Sequence, residues 1–255
     1  MEVFQDYAHY YNLFYQHKEY IKEAQTISTL LQMYGTNRIN SILNLGCGTG
    51  KHDIQLSKMG YEIVGVDMSC QMISEAVKNS NAENCNIPFM ISDIREFDPQ
   101  KQFDAVTSLF HVISYQNHNL DVTKTFSTAY KALKNNGIFL FDVWYGPGVL
   151  TDRPAVRVRK AEDETHTLYR IAEPCIHANE NIVDVNYEIL AISKSTGIVK
   201  QMKELHKMRY FFKPELEFYL NQSGFRLITC VDCNTLETPD FNSWTAYFVA
   251  QKREE

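Results

Sequence analysis

Residues 41–67 read SILNLGCGTGKHDIQLSKMGYEIVGVD, and the rest of the chain is organised around them. Ile42, Leu43 and Leu45 form a short apolar run of the kind buried on both faces of a parallel sheet. Gly46, Cys47, Gly48, Thr49 and Gly50 then break it. Glycines at such a break let the backbone turn tightly and let a ligand approach without meeting a Cβ. Residues 51–59 supply helix formers, Gly60 stops them, and residues 61–66 give a second β-rich run ending at Asp67. The pattern predicts strand, turn, helix, strand. It places a carboxylate about 20 residues past the glycines, the offset at which an acid meets a ribose in a dinucleotide-type fold.

The spacing narrows the ligand. A nicotinamide fingerprint wants glycine or alanine at the sixth position of G-x-G-x-x-G, where a helix packs on the strand. Lys51 stands there, which disfavours an oxidoreductase. The residues present are G-x-G-x-G preceded by Asn44, with an acid ending the next strand. This resembles the first motif of the class I methyltransferases that use S-adenosyl-L-methionine. The resemblance implies that Gly46, Cys47, Gly48 and Gly50 wrap the methionine portion of that cofactor. It also implies that Asp67, with Met68 beside it, takes the ribose hydroxyls through paired charge-assisted bonds.

The chain's 255 residues suffice for one large α/β domain or a core with an insertion. A net charge of −6 argues against nucleic acid as the main partner, because phosphate binding rests on an excess of lysine and arginine. No apolar run approaches the ~18 residues needed to span a bilayer, and the N-terminal MEVFQDYAHYY lacks the plan of a signal peptide. The expected location is cytoplasmic, with no membrane partner. The six cysteines are scattered, and Cys230 with Cys233 makes a single C-x-x-C without the second pair that a zinc site wants. No metal is expected.

Residues 1–38 read as two helices, with Phe4, Tyr7, Tyr11 and Phe14 on one aromatic stripe and Tyr20, Ala24, Ile27 and Leu31 on another. Five tyrosines within the first twenty residues (7, 10, 11, 15 and 20) exceed what docking on a core requires. Ser69 is a fit N-cap for the helix carrying Met72, Ile73, Ala76 and Val77. Residues 87–91 and 103–109 read as the third and fourth strands. Ligands bind at the carboxyl ends of strands in an open α/β sheet, so His111, Ser114 and Tyr115 are placed where chemistry occurs. A helix is expected over 120–134, a stop at Asn135, Asn136 and Gly137, a fifth strand over 138–144, and a boundary at Gly146, Pro147 and Gly148.

From 149 to 212 the pattern changes to period two. Val183, Val185, Tyr187, Ile189 and Ala191 alternate with more polar neighbours, which predicts an antiparallel insertion with one buried face. Arg153, Arg157 and Arg159 share one parity. Such a basic face is either a solvated edge that guards against pairing or a site for a phosphate or diphosphate, which guanidinium groups bind bidentately. His206 shares its parity with Met208 and Tyr210 and is a weaker candidate for the site. Residues 213–224 read as the last helix, and 225–231 and 244–251 complete the sheet.

The whole is an α/β chain with a Rossmann-like, seven-stranded, mostly parallel core whose last strand is antiparallel. Residues 1–38 form a helical cap, 39–148 the cofactor-binding core, 149–212 the antiparallel insertion on the substrate side, and 213–255 the end of the core sheet. The insertion also leaves a homodimer contact open. Within the resembled class, YAHYYNLFYQHKEYIKEA, the glycine motif and FDAVTSLFHVISY look most like the nucleotide-amino-sugar N-methyltransferases of deoxysugar pathways. That resemblance implies a small-molecule acceptor, a nucleotide-linked amino sugar. It implies Asp93 and Ile94 against the adenine, Leu109 and Tyr15 as further cofactor contacts, and Tyr11, Trp144, Tyr145, the three arginines and His206 toward the acceptor. Those enzymes place a histidine where Tyr115 stands here, four residues after His111. His111, Tyr115 and Tyr11 are therefore the catalytic candidates. Two other readings stay open: an O-methyltransferase of a small hydroxyl or carboxylate acceptor, and a non-catalytic cofactor-binding protein. The second predicts a filled acceptor pocket.

Overall fold

The computed structural model describes residues 8–254, with side chains from residue 10 onward. Phe4 and Tyr7 of the expected aromatic stripe lie outside the described side chains. Two helices, α1 (Ala8–Phe14) and α2 (Tyr20–Tyr34), precede β1 (Ser41–Leu45), α3 (Lys51–Lys58), β2 (Glu62–Asp67), α4 (Cys70–Ala82) and β3 (Phe89–Ile91). Then come β4 (Phe103–Ser108), a 3-10 turn (Val112–Tyr115), α5 (Asn119–Ala132), β5 (Leu133–Tyr145) and α6 (Gly146–Thr151). The insertion comprises β6 (Arg157–Glu162), β7 (His166–His177), β8 (Ile182–Ser193) and β9 (Val199–Phe211). The chain ends with α7 (Lys213–Gln222), β10 (Phe225–Asp232) and β11 (Thr245–Lys252).

β1 is buried along its whole length because it lies between two parallel neighbours, β2 and β4. That arrangement is what an unalternating run such as SILNL requires. The order β3-β2-β1-β4-β5 is parallel throughout, and β11 and β10 continue it antiparallel beyond β5. An apolar cluster fills each face. On one, Phe126 of α5 packs on both Phe139 and Phe141 of β5, at ring centroid distances of 5.4 and 5.2 Å. On the other, Ile27 and Leu31 of α2 and Ile54 of α3 meet Ile42, Ile63 and Leu140.

Two local expectations are corrected. β5 starts at Leu133, directly after α5, so Asn135 to Gly137 lie inside the strand rather than in a helix stop; the irregularity in pairing between Phe103 and Ala105 absorbs the left-handed Asn136. Gly146, Pro147 and Gly148 open a short helix, with proline in a first turn where it needs no N–H. The antiparallel insertion, present as expected, is not a separate sheet. β4 stops at Ser108, which leaves the end of β5 without a partner on that side. β9 fills the place, pairing Tyr210 and Phe211 with Trp144 and Tyr145. The insertion is thereby anchored at the carboxyl end of the core sheet, where the site lies. No helix among the described residues is long and apolar enough to cross a membrane.

Candidate active site

A cavity of about 630 Å³ opens at the carboxyl ends of β1, β2, β4 and β5. One side is built by the residues of the opening motif. Gly46, Cys47, Gly48, Asp67, Met68, Asp93, Ile94 and Leu109 all lie on its wall, as does Asn44. Gly46 has a φ of +81°, and a Cβ there would stand 2.5 Å from Val112 Cγ1, so the 3-10 turn packs directly on the glycine. A Cβ at Gly48 would meet nothing within 4 Å, which leaves the space beside the turn open to a ligand. Gly50 is not on the wall. Its φ is +71°, and a Cβ would meet the Phe89 ring at 2.8 Å, so it serves the turn and not the ligand.

The Asp67 carboxylate accepts the backbone N–H of Gly48 and of Ser69, each at 2.9 Å. Burial pushes its pKa up, and these hydrogen bonds oppose the rise. Beneath the turn Asp53 is fully buried and pushed up to about 7 by that burial, although Asn44 donates to it at 3.0 Å. Thr107 in turn donates to Asn44 Oδ1 at 3.1 Å. Asp93 is tied to Arg95, whose Nε lies 2.9 and 3.0 Å from its two oxygens, and this pairing holds its carboxyl below the usual range. Ser69 caps α4 as expected, accepting from the Met72 N–H at 3.2 Å.

The opposite side of the cavity comes from three distant segments. Tyr11 and Tyr15 arrive on and after α1, which is tied to the glycine turn by Thr49 Oγ1 donating to Asn12 Oδ1 at 3.0 Å. Tyr20 and His52 follow, beside Glu23. Burial would raise that carboxyl, but His52 at 2.7 Å and Lys18 outweigh it and bring it down to about 2. The end of β4 supplies Phe110 and His111, consecutive left-handed residues with φ of 65° and 66°. Asp142 of β5 holds that bend. Its Oδ2 accepts the His111 N–H at 3.0 Å and lies 2.5 Å from His111 Nδ1, in a geometry too bent to be a hydrogen bond.

The insertion supplies the third segment. Its registers put Arg170, Tyr187, Glu204 and His206 on one face of the sheet, and Arg170, Tyr187 and His206 line the cavity. His206 is 2% exposed. Its Nδ1 lies 2.8 Å from the Tyr115 hydroxyl and its Nε2 2.9 Å from Glu204 Oε2. The Tyr187 ring packs against its imidazole at 4.7 Å. The Arg170 guanidinium lies over the Phe14 and Tyr187 rings, at 5.1 and 4.8 Å, and donates to the Tyr15 hydroxyl at 3.3 Å. Trp144 completes the wall.

The structure therefore gathers Tyr11, Tyr15, His111, Tyr115, Trp144 and His206 around the space facing the glycine turn, and that space is open. It does not bring the other acceptor candidates there. Tyr145 is buried in the main core, because alternation along β5 turns it away from the side Trp144 faces. Arg153, Arg157 and Arg159 are all exposed and off the cavity wall. Arg157 and Arg159 stand on β6, the outer edge strand, where Val156 and Val158 are exposed as well. The three arginines thus stand where a solvated edge would put them, and not on the cavity wall where an acceptor phosphate was expected. Cys230 and Cys233 face opposite apolar clusters, all six cysteines are free, and no metal-binding group is found among the described residues.

Arg170, Tyr187, Glu204 and Asp142 were not singled out from the sequence. A signal existed for two of them. Leu168, Arg170 and Ala172 put a charge at a buried parity of β7, and Glu204 shares the parity of His206, Met208 and Tyr210.

Residues 42–137 match the model of the methyltransferase domain family. A putative methyltransferase of Geobacillus sp. (strain WCH70) is 26% identical over 255 residues, covering 98% of this chain and 100% of that protein. A dTDP-3-amino-3,4,6-trideoxy-alpha-D-glucopyranose N,N-dimethyltransferase of Streptomyces venezuelae is 24% identical, covering 87% of this chain and 91% of its own length. Among solved structures, an S-adenosylmethionine-dependent methyltransferase from Clostridium acetobutylicum ATCC 824 matches with a TM-score of 0.81 at 19% identity, covering 99% of this chain and 100% of the other. The fold is the class I methyltransferase fold.

Proposed function

We propose an acceptor for what is, by its domain, its fold and its glycine turn, an S-adenosylmethionine-dependent methyltransferase: the amine of a small, nucleotide-linked amino sugar. The donor side is Gly46, Cys47 and Gly48 for the methionine portion, Asp67 for the ribose, and Ile94 with Leu109 for the adenine. Asp93 is committed to Arg95, so its part is to fix the loop that presents Ile94. When bound, S-adenosylmethionine supplies an electrophilic methyl group on a positively charged sulfur.

The observation that carries the choice of nitrogen is the aromatic wall of the acceptor half, formed by Tyr11, Tyr15, Phe110, Trp144 and Tyr187. Methylating an amine delivers positive charge to the acceptor nitrogen. Ring faces stabilise a cation there by about 0.5–2 kcal/mol each when it is desolvated, whereas a methylated hydroxyl ends neutral once its proton has gone. The residues act mainly by position. Tyr11 and Tyr15 on the cap, and Trp144 with Tyr187 on the sheet side, hold the acceptor in line with the donor. Such alignment supplies on the order of 7–11 kcal/mol of barrier reduction at best. The cap, residues 1–38, and the insertion, 149–212, choose the acceptor, while residues 39–148 hold the donor.

The sugar reading draws on the Streptomyces venezuelae relative, whose match covers 87% of this chain and is therefore not confined to the core. With the three edge arginines away from the cavity, Lys207, exposed at its rim, is the cation assigned to the nucleotide phosphates. A hydroxyl acceptor is the second reading, favoured by three histidines on the wall, His52, His111 and His206, each beside a carboxylate. Incubation with isotope-labelled S-adenosylmethionine and a panel of nucleotide-linked amino sugars, hydroxyl acceptors and carboxylates separates the two. An N-methyl product is expected, and an O-methyl product alone overturns the proposal.

A further inference from the structure

We propose that Tyr115, His206 and Glu204 form a proton wire that strips the ammonium proton from the acceptor, with Tyr115 as the catalytic residue at the cavity and Glu204 as the positioning residue behind it. The inference rests on the amine reading of the same site.

The wire follows from hydrogen-bond directions. A carboxylate only accepts, so the 2.9 Å contact between Glu204 and His206 requires the proton on Nε2. Nδ1 of the neutral ring then carries a lone pair, and the Tyr115 hydroxyl, 2.8 Å away, donates to it. A phenol that donates retains acceptor lone pairs on its oxygen, and Tyr115 lies on the cavity wall. An ammonium group reaching that oxygen gives up one N–H bond and keeps the electron pair on nitrogen. The Tyr115 oxygen gains that proton as its own passes to His206 Nδ1. The balance is a neutral amine, a neutral phenol and an imidazolium facing the Glu204 carboxylate. Nothing is oxidised and no further reactant is needed. The charged ring is stabilised where it forms, since His206 is 2% exposed and the Glu204 side chain 8% exposed.

His111 is the competing base, and its geometry differs. Its Nδ1 and its backbone N–H converge on the same oxygen of Asp142, which spends that carboxylate on holding a left-handed bend. The titratable and charged groups that face His206 among the described residues are Tyr115 from the 3-10 turn, Tyr187 from β8, Arg170 from β7 and Glu204 from its own strand, with Tyr11 and His111 across the cavity. Burial pushes the Tyr187 hydroxyl up, so the phenol packed edge-to-face against His206 stays neutral as the ring charges.

Two measurements test the wire. The first needs no acceptor: 15N spectra of the imidazoles in the full chain. The expected tautomer of His206 carries its proton on Nε2, and Glu204→Leu, which removes the acceptor at Nε2, lets the Nδ1-protonated form appear; a proton on Nδ1 in the parent, or an unchanged tautomer in the variant, overturns the proposal. The second uses dTDP-3-amino-3,6-dideoxy-alpha-D-glucopyranose as acceptor, with variants shown by calorimetry to bind S-adenosylmethionine as the parent does. Tyr115→Phe and His206→Asn are expected to lower kcat about 100-fold near neutral pH. The double variant falls no further, and all three recover toward the parent about two pH units above the amine's own pKa, where the amine arrives neutral. A deficit that is the same at every pH, or additive losses, overturns the wire. Methylation of hydroxyl acceptors alone overturns the amine reading and the ammonium step with it, while the His206 tautomer separately decides whether the wire exists.

Discussion

Replacing Gly46 by alanine tests how the donor turn is coupled to the acceptor side. The backbone there has a φ of +81°, and the added Cβ would stand 2.5 and 2.6 Å from the two Val112 methyl carbons. Holding an L-residue in left-handed backbone costs roughly 1–2 kcal/mol, and overpacking a well-filled contact costs roughly 1–3 kcal/mol. The expected loss of stability is therefore about 2–5 kcal/mol, measured by urea unfolding. The two parts are separable. In Gly46→Ala combined with Val112→Ala the methyl carbons are gone, so the clash is relieved while the backbone cost stays. A double-mutant cycle should give a favourable coupling of about 1–3 kcal/mol. Val112 follows His111 and opens the turn that carries Tyr115, so the single variant should also lose methyl transfer beyond its loss of donor affinity. Additive effects, within about 0.5 kcal/mol, would refute the packing argument. A neutral Gly46→Ala would refute both parts.

Phe126→Ala, which removes the ring packed on Phe139 and Phe141, should destabilise the chain by about 3–5 kcal/mol in denaturant unfolding. Asp53 gives a pH dependence of known sign. Its folded pKa, about 7, is raised above the unfolded value of 3.8, so stability is full below the unfolded value and falls as pH rises through about 7. Asp53→Asn should accordingly be more stable than the parent at pH 8, by on the order of 2–4 kcal/mol. The difference should vanish near pH 4, and equal thermal stability of the two at pH 8 would count against the assignment. Lys207→Ala should raise the Michaelis constant for a nucleotide-linked acceptor and leave that for S-adenosylmethionine unchanged; steady-state kinetics with both varied reads this directly.

What was legible in the sequence is what local pattern determines. An apolar run buried on both faces, a glycine turn and an acid ending the next strand locate β1, α3, β2 and one wall of the cavity without knowledge of the rest of the chain. The alternation over Val183 to Ala191 likewise located a half-buried strand. The acceptor side was less legible because it is assembled from segments whose meeting depends on one pairing, β9 filling the edge of β5 that β4 vacates at Ser108. That pairing brings His206 to Tyr115 across 91 residues of chain. Arg157 and Arg159 mislead for a related reason. They share a sheet face with Arg170, and Arg159 is its direct cross-strand neighbour. Only Arg170 lies far enough inward to be covered by α1, so one arginine is buried at the cavity and the others face solvent. Trp144 and Tyr145 are adjacent on one strand and so point to opposite faces, which lets only one of them line the cavity.

The claim on which the rest depends is that Asp67 holds the ribose of S-adenosylmethionine at the end of β2. Calorimetric titration of the parent and of Asp67→Ala, each with S-adenosylmethionine and with an analogue lacking both ribose hydroxyls, measures it most directly. Asp67 also accepts the Gly48 and Ser69 N–H groups, so the analogue separates ribose recognition from damage to the turn. The account predicts that the variant loses about 1.5–3 kcal/mol of affinity for S-adenosylmethionine. Removing the hydroxyls should weaken binding to the parent much more than to the variant. Equal discrimination between the two ligands by parent and variant would contradict it.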